Sequence, residues 1–292
     1  MGCSRETVRS FFCVGLLCAI MLAASQPAAA QRRGGWGISS GWDSRWQEPP
    51  RPKLKDFPGR KFTFCTVIYS NNGRYEPLGL GWGTDYPKSG ENFMIRLAEL
   101  TTIEINRQEN GEPRQEVIRL TDPAVFNYPI LFMSDVGTTD FSEKEITNLR
   151  EYLLRGGFLH ADDFWGDDAW DWWSYVIGQV LPPEEYPIRD IPLSHDIFHI
   201  VFDVKEVPQV PSIQYWSGTR NGTTSERGAA TREPHLRGIW DKNGRLMVIM
   251  SHNTDLADGW EQERENEEYF REFSVKKSYP LGINIVVYAM TH

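Results

Sequence analysis

The feature that most constrains this chain is a set of short apolar runs that end in polar residues. Each run is five to eight residues long, which is too short for a typical helix and is typical of strands buried inside a parallel sheet. Segments with apolar residues at helical spacing separate the runs. Strands that alternate with amphipathic helices predict a three-layer α/β domain with a mostly parallel sheet. The predicted strands occupy residues 62–69, 128–135, 158–162 and 246–251.

One helix is specified in detail by its sequence. Ser142 and Glu145 have the spacing of a capping box, in which each side chain bonds the backbone N–H of the other at the start of a helix. Apolar residues then recur at helical spacing until Gly156 or Gly157 ends the segment. Residues 281–290 are apolar throughout and fit either a strand or a helix; a helix is favoured because the segment closes the chain after a strand. A further strand is predicted over residues 197–204.

The first thirty residues have the pattern of a secretory signal peptide. Arg5 and Arg9 precede an apolar run of fourteen residues, and Ala28-Ala29-Ala30 supplies small residues for cleavage. The run is shorter than the roughly twenty residues that span a bilayer. We therefore expect residues 1–30 to be removed on export to the periplasm or the extracellular space. An uncleaved N-terminal membrane anchor is the alternative.

The remainder divides into a linker and one domain. Residues 31–59 carry five Gly, four Pro and three Trp without apolar periodicity, which predicts a flexible linker. Residues 60–292 are enough for one hydrophobic core. Only Cys65 follows the signal segment, so no disulfide bond is expected within the domain. The net charge of −9 argues against binding to nucleic acid or to an anionic membrane surface, and no membrane span is predicted after the signal.

The first candidate set of functional residues lies where the strand over residues 158–162 becomes acidic. His160, Asp162 and Asp163 combine an imidazole with carboxylates, which are groups that ligate divalent metals or transfer protons. Alternation along a strand places His160 and Asp162 on one face and Asp163 on the other. The alternative is that the aspartates cap the following turn and His160 is a core residue.

Two further sets are placed near other strand ends. His252, Asp255 and Asp258 follow the strand over residues 246–251, and His195 precedes the predicted strand over residues 197–204. Polar residues at the carboxyl ends of parallel strands converge on one crevice. The alternative for the segment after residue 251 is a turn whose side chains bond their own backbone. The predicted crevice is lined by His160, Asp162, Asp163, His195, His252, Asp255 and Asp258.

Three tryptophans, Trp165, Trp170 and Trp173, are expected to form the rim of this crevice. Flat aromatic faces beside carboxylates are typical of carbohydrate-binding clefts. A half-buried aromatic lid, or a surface for an envelope protein, needs the same residues and is the alternative.

Several motifs of the chain, in their order, resemble a known family. They are YPILFMSDVG, LREYLLRGGFLHADDFWG, PLSHDIFH, GRLMVIMSHNTDLADGWE and GINIVVYAMTH. Over about residues 60–292 they resemble exported bacterial proteins of domain of unknown function 4159. That family is similar in fold to the class I glutamine amidotransferase-like superfamily, so the resemblance implies a flavodoxin-like sandwich. Working amidotransferases carry a catalytic Cys at the turn after the strand, where this chain has Asp162-Asp163.

The sequence therefore leads to three hypotheses of function. The first is an exported, non-glutaminase binding domain for a carbohydrate or an envelope partner, without enzymatic activity or a cofactor. The second is a metal-assisted or carboxylate-based hydrolase, with Asp162 or Asp163 as metal ligand or general base and His160 or His252 assisting. The third is a purely structural envelope component. A divalent metal belongs only to the second hypothesis.

Overall fold

A central sheet of seven strands organises the domain. The computed structural model describes residues 61–71, 81–219 and 222–292, so the predicted signal peptide and linker lie outside the described residues. All described residues belong to one compact unit, Pro49–His292. The strands in chain order are β1 (Cys65–Ile68), β2 (Ser70–Asn71), β3 (Glu116–Arg119), β4 (Ile130–Met133), β5 (Thr139–Asp140), β6 (Phe158–Phe164), β7 (Arg189–Asp190), β8 (His235–Trp240) and β9 (Leu246–His252).

The order of the strands confirms the predicted α/β architecture with a mostly parallel sheet. The sheet runs β3-β1-β4-β6-β9-β8-β7, while β2 and β5 form a separate antiparallel pair. The five strands from β3 to β9 are parallel to their neighbours. β8 is antiparallel to both β9 and β7. The carboxyl ends of β4, β6 and β9 therefore lie side by side at one edge.

Helices cover both faces of the sheet. They are α1 (Lys88–Leu100), α2 (Glu143–Leu154), α3 (Gly166–Val180), α4 (Ile213–Gly218), α5 (Leu256–Glu261), α6 (Glu267–Tyr269) and α7 (Tyr279–Thr291), with a π-helix at Phe270–Ser278 between the last two. Within the described ranges, no helix is both long enough and apolar enough to cross a bilayer.

Two apolar cores follow from the alternation of side chains along the strands. On β4, Phe132 packs with Phe93 of α1 and Trp260 of α5, whereas Met133 belongs to the opposite core with Leu149 of α2 and Trp173 of α3. Side chains on successive strand residues point to opposite faces. Each face thus buries its own cluster, as expected for strands that are apolar on both sides.

The strand predicted over residues 197–204 is wrong. The structure has a short 3₁₀ helix at Asp196–Phe198 and irregular backbone afterwards. The N–H groups of Val201 and Phe202 donate to Oδ1 of Asn284 at 3.2 and 2.9 Å, and Nδ2 of Asn284 donates back to the carbonyl of Phe202 at 2.8 Å. A side chain of α7 thus bonds backbone groups that a neighbouring strand would otherwise have paired.

Candidate functional site

Three neighbouring strands end in residues with left-handed backbone. Asp135 follows β4, Asp163 lies near the end of β6 and Asn253 follows β9, with φ angles of 52°, 52° and 59°. Asp85, in the loop before α1, has a φ of 67°. Asp and Asn tolerate this conformation better than other residues with a side chain, because their short polar groups can bond locally. The chain thus turns sharply at this edge and places carboxylates there.

Three carboxylates converge at the carboxyl edge of the sheet. Asp85, Asp163 and Asp255 each offer an oxygen, and these oxygens lie within 4.8 Å of one another. A second group with the same spacing consists of Asp85, Asp258 and Glu261. The two groups share Asp85. The predicted convergence of β6 and β9 residues is therefore present in the structure.

Hydrogen bonds from neighbouring elements hold Asp85 at this edge. The hydroxyl of Ser134, directly after β4, donates to Oδ2 of Asp85 at 2.8 Å. The N–H of Gly81 donates to Oδ2 of Asp135 at 2.7 Å. Both bonds join the loop before α1 to the end of β4. Asp85 thereby reaches the strand ends although it is on no strand itself.

The other two members of the first group are also held by named donors. Nε1 of Trp165 donates to Oδ1 of Asp163 at 3.1 Å. Asp255 is the N-cap of α5, and its Oδ1 accepts from the N–H of Asp258 at 2.9 Å. Each bond fixes the orientation of its carboxylate, so the spacing is set by the surrounding structure.

The cluster is strongly destabilised in its ionised form. Burial, followed by repulsion from neighbouring carboxylates, raises the pKa values of Asp85, Asp163, Asp255 and Asp258 well above the usual range. Two unit charges 4.8 Å apart repel by about 3 kcal/mol at an effective dielectric constant of about 20. Among the described residues, no Lys or Arg forms an ion pair with Asp85, Asp163 or Asp255.

The cluster is almost closed to solvent. The exposed fractions are 6% for Asp85, 9% for Asp163 and 4% for Asp255. Glu261, in the second group, is half-buried. A sugar ring requires an accessible face, which side chains of such low exposure do not present.

His160 and Asp162 lie beside the cluster but face α5. Nε2 of His160 is 3.0 Å from the hydroxyl of Ser251 and 3.8 Å from Oδ1 of Asp162. Burial lowers the pKa of His160 to about 3 and raises the pKa of Asp162 to about 7. His160 is therefore a neutral, buried residue with a hydrogen-bond partner at neutral pH, which agrees with the structural alternative for this residue.

His252 belongs to a different network at the same edge. Nη1 of Arg237 lies 2.9 Å from Nδ1 of His252, and Nε2 of His252 lies 3.1 Å from the carbonyl of Gly166. Because Arg always donates, Nδ1 accepts and Nε2 carries the proton. Burial, followed by the charge of Arg237, lowers the pKa of His252 to about 4. Both ring nitrogens are therefore engaged, Nδ1 by a guanidinium and Nε2 by a backbone carbonyl.

The three tryptophans do not form a common rim. Trp165 is buried and bonds Asp163, as described above. Trp170 is half-buried beneath the guanidinium of Arg237, which lies 4.0 Å from the centre of the ring. Trp173 is fully buried in the core between α3 and the sheet. The expectation that Trp173 lines a rim is therefore wrong, because α3 begins at Gly166 and turns this side chain inward.

His195 lies at the opposite edge of the sheet. Its ring packs against Trp240 and Tyr288, with centroid distances of 6.3 and 5.3 Å. Trp240 pairs with Leu246 at the start of β9, whereas His252 ends β9. The prediction that His195 reaches the crevice is wrong, because the strand that it was expected to precede does not form.

Sequence reasoning missed Asp85, which is common to both carboxylate groups. Residues 71–90 of the sequence are rich in Gly but match no phosphate-binding motif, so nothing in their pattern draws attention to Asp85. The available signal was its position after the first strand, the same kind of position as the other carboxylates occupy. Glu261 was within the acidic stretch after residue 251, but its contact with Asp85 depends on the fold.

A separate small cavity lies within the first apolar core. Apolar side chains of the first core dominate its lining, and His160 and Trp260 contribute polar groups. No carboxylate lines this cavity. The cavity therefore offers no anionic ligand for a cation, unlike the carboxylate cluster.

Comparison with known families gives one match, to the family described as a domain of unknown function (DUF4159), over residues 63–290. None of the curated proteins compared matches the chain.

Proposed function

Since this chain belongs to the DUF4159 family, for which no function is described, we propose that its domain binds a divalent metal ion through Asp85, Asp163 and Asp255. The observation that carries the proposal is the approach of three buried carboxylate oxygens to within 4.8 Å of one another. A divalent cation compensates the repulsion between them. Oxygen-only ligand sets suit Ca²⁺, Mg²⁺ and Mn²⁺.

The low exposure of the cluster supports an ion better than the carbohydrate expected from the sequence. A carbohydrate needs an accessible aromatic face, and two of the three candidate tryptophans are buried. Export remains part of the proposal, supported by the signal-like pattern of residues 1–30. So does a flavodoxin-like, amidotransferase-like fold, supported by the parallel sheet with helices on both faces.

The test is a calorimetric titration of chelator-treated protein with CaCl₂, MgCl₂ and MnCl₂. We expect saturable binding of at least one of these ions, with a stoichiometry that distinguishes one ion from two. Asp163→Asn should lower the affinity by about tenfold or more, because ligand charge tunes the affinity of such sites. Asp167→Asn is the matched control, since Asp167 is an exposed aspartate in the same stretch. Absence of binding for all three ions would contradict the proposal.

Metal-assisted hydrolysis is a second candidate function. The observation that favours it is the partial exposure of Glu261 in the second carboxylate group, which leaves room for a water molecule or a substrate oxygen. A bound divalent ion supplies Lewis-acid activation there. Chromogenic phosphate and carboxylate esters, assayed with and without chelator, test this candidate. Activity that resists both the chelator and Asp163→Asn would count against it.

A glutaminase is the function with least support. The position at the end of β6 that carries the nucleophile in amidotransferases holds Asp162 and Asp163. Cys65 is buried in β1, and burial raises the pKa of its thiol well above the usual value. A buried, protonated thiol is a poor nucleophile. We infer that the domain does not hydrolyse glutamine, and an ammonia-release assay with glutamine should give no signal.

A further inference from the structure

Asp162 and Asp163 are adjacent in β6, but their carboxylates contact different parts of the structure. Oδ2 of Asp162 accepts a hydrogen bond from the backbone N–H of Ala257 at 3.0 Å, in the first turn of α5. Asp163 instead belongs to the carboxylate group that includes Asp85 and Asp255. The two aspartates therefore differ in role even though a sequence pattern treats them as a pair.

Asp162 and Asp255 both cap the amino end of α5, and each accepts a different backbone N–H. The N-cap carboxylate of Asp255 accepts from the N–H of Asp258. This leaves the N–H of Ala257, which has no partner within a helix that starts at residue 256, and Asp162 accepts it. One side chain thus ties the end of β6 to the first turn of the helix that carries Asp258 and Glu261.

The other oxygen of Asp162 makes no hydrogen bond with any described residue. It lies 3.8 Å from Nε2 of His160, a nitrogen that is already 3.0 Å from the hydroxyl of Ser251. Asp162 is fully buried. It is also in neither of the carboxylate groups whose oxygens lie within 4.8 Å of one another. These contacts place Asp162 against the first turn of α5 and outside both carboxylate groups.

We propose that Asp162 is a positioning residue of the metal site, acting through the first turn of α5, and is not a metal ligand. This inference rests on the metal-binding function proposed above. Asp162 supplies a hydrogen-bond acceptor for the N–H of Ala257, and its negative charge is not required by the ion. Asn offers the same acceptor without the charge, whereas Ala offers neither.

The test compares titrations of the wild-type protein, Asp162→Asn and Asp162→Ala with the ion that the wild type binds best. Asp162→Asn should retain an affinity close to that of the wild type. Asp162→Ala should lose about 10–100-fold, which is typical when a partner behind the metal ligands is removed. Amide hydrogen exchange of residues 256–261, measured without metal, should be faster in Asp162→Ala and unchanged in Asp162→Asn.

The outcomes separate this inference from the proposed function. If Asp162→Asn loses affinity as strongly as Asp163→Asn, Asp162 is a ligand and the inference is wrong. Wild-type affinity in Asp162→Ala would also overturn it. If Asp162→Ala fails to fold, the ion affinities of Asp162→Asn and Asp163→Asn are still sufficient to test the inference. A wild-type protein that binds none of the ions removes the proposed function and, with it, the basis of the inference.

Discussion

Trp170 and Trp173 lie within one turn of α3 and meet different surroundings. Trp173 is fully buried between the helix and the sheet, whereas Trp170 is half-buried and stacks under Arg237. Composition alone suggested one aromatic surface. The packing of α3 on the sheet separates them: Trp173 lies inside the apolar core, whereas Trp170 only packs against it.

This difference predicts unequal losses of stability. Trp173→Ala should lower the free energy of unfolding by about 3–5 kcal/mol, because a large cavity opens in the core. Trp170→Ala should cost about 1 kcal/mol through the lost stacking with Arg237. Urea unfolding followed by circular dichroism measures both values. Equal losses would show that Trp173 is not the core residue described here.

The acidic residues show which individual site positions can be identified from the sequence. Asp163, Asp255 and Asp258 were predicted because each follows a recognisable buried strand at a short distance. Asp85 also follows a strand, but it lies in the loop before α1, and its place at the site depends on the hydrogen bonds from Ser134 to Asp85 and from Gly81 to Asp135. Contacts between segments that are far apart in the sequence do not produce a periodic pattern of residues.

At the level of elements, α2 is the best predicted helix. Both bonds of the capping box are present: the hydroxyl of Ser142 accepts from the N–H of Glu145, and Oε2 of Glu145 accepts from the N–H of Ser142. A local motif of this kind is decided by residues three positions apart, so the sequence contains all the information needed.

Removal of this cap gives a prediction for α2. Ser142→Ala should lower the free energy of unfolding by about 1 kcal/mol, because the N–H of Glu145 loses its acceptor. The matched control is Thr147→Ala, which changes an exposed hydroxyl in the same helix and should have little effect. Chemical denaturation of both variants provides the measurement. An equal effect of the two substitutions would argue against a specific contribution from the cap.

Residues 197–204, wrongly predicted as a strand, and β8, which was not predicted, show where local sequence patterns fail. Residues 197–204 are rich in apolar residues but pair with the side chain of Asn284, which is remote in sequence. β8 contains polar His235 and Arg237 within a short run, and it is recognisable as a strand mainly through its pairing with β9. Tertiary contacts override local preference in both cases.

At the scale of the whole molecule, the parallel arrangement of β4, β6 and β9 brings the carboxylates together at the carboxyl ends of the strands. The sequence could indicate this convergence because parallel strands place their carboxyl ends on one edge. It could not indicate how closed the cluster is, since exposure depends on the packing of every covering segment. The expected open crevice is therefore a nearly closed cluster in the structure.

The cluster predicts how global stability depends on pH. Carboxylates with raised pKa values hold protons in the folded state that the unfolded chain releases. The free energy of unfolding therefore falls as the pH rises from about 4, the pKa in the unfolded chain, toward the pKa in the folded state, which is about 7 for Asp162. His160 and His252, with lowered pKa values of about 3 and 4, oppose this trend below about pH 6.5. Above that pH the carboxylates dominate.

We therefore expect the melting temperature of chelator-treated protein to fall between pH 6.5 and pH 8. A saturating divalent ion should abolish the fall, because it favours the ionised carboxylates that the metal-free fold disfavours. Differential scanning calorimetry at both pH values measures this, with NaCl at matched ionic strength as the control. A melting temperature that rises with pH in metal-free protein would contradict the expectation.

The left-handed conformations of Asp135, Asp163 and Asn253 have a consequence for variation at this edge. Ala, Ser or Glu would be strained at these positions, while Asp and Asn are nearly isosteric and equally compatible with the backbone. Exchange between these two residue types therefore alters the total charge in unit steps and leaves the turns in place. Substitutions between Asp and Asn at these three positions could therefore adjust ion preference while the backbone stays the same.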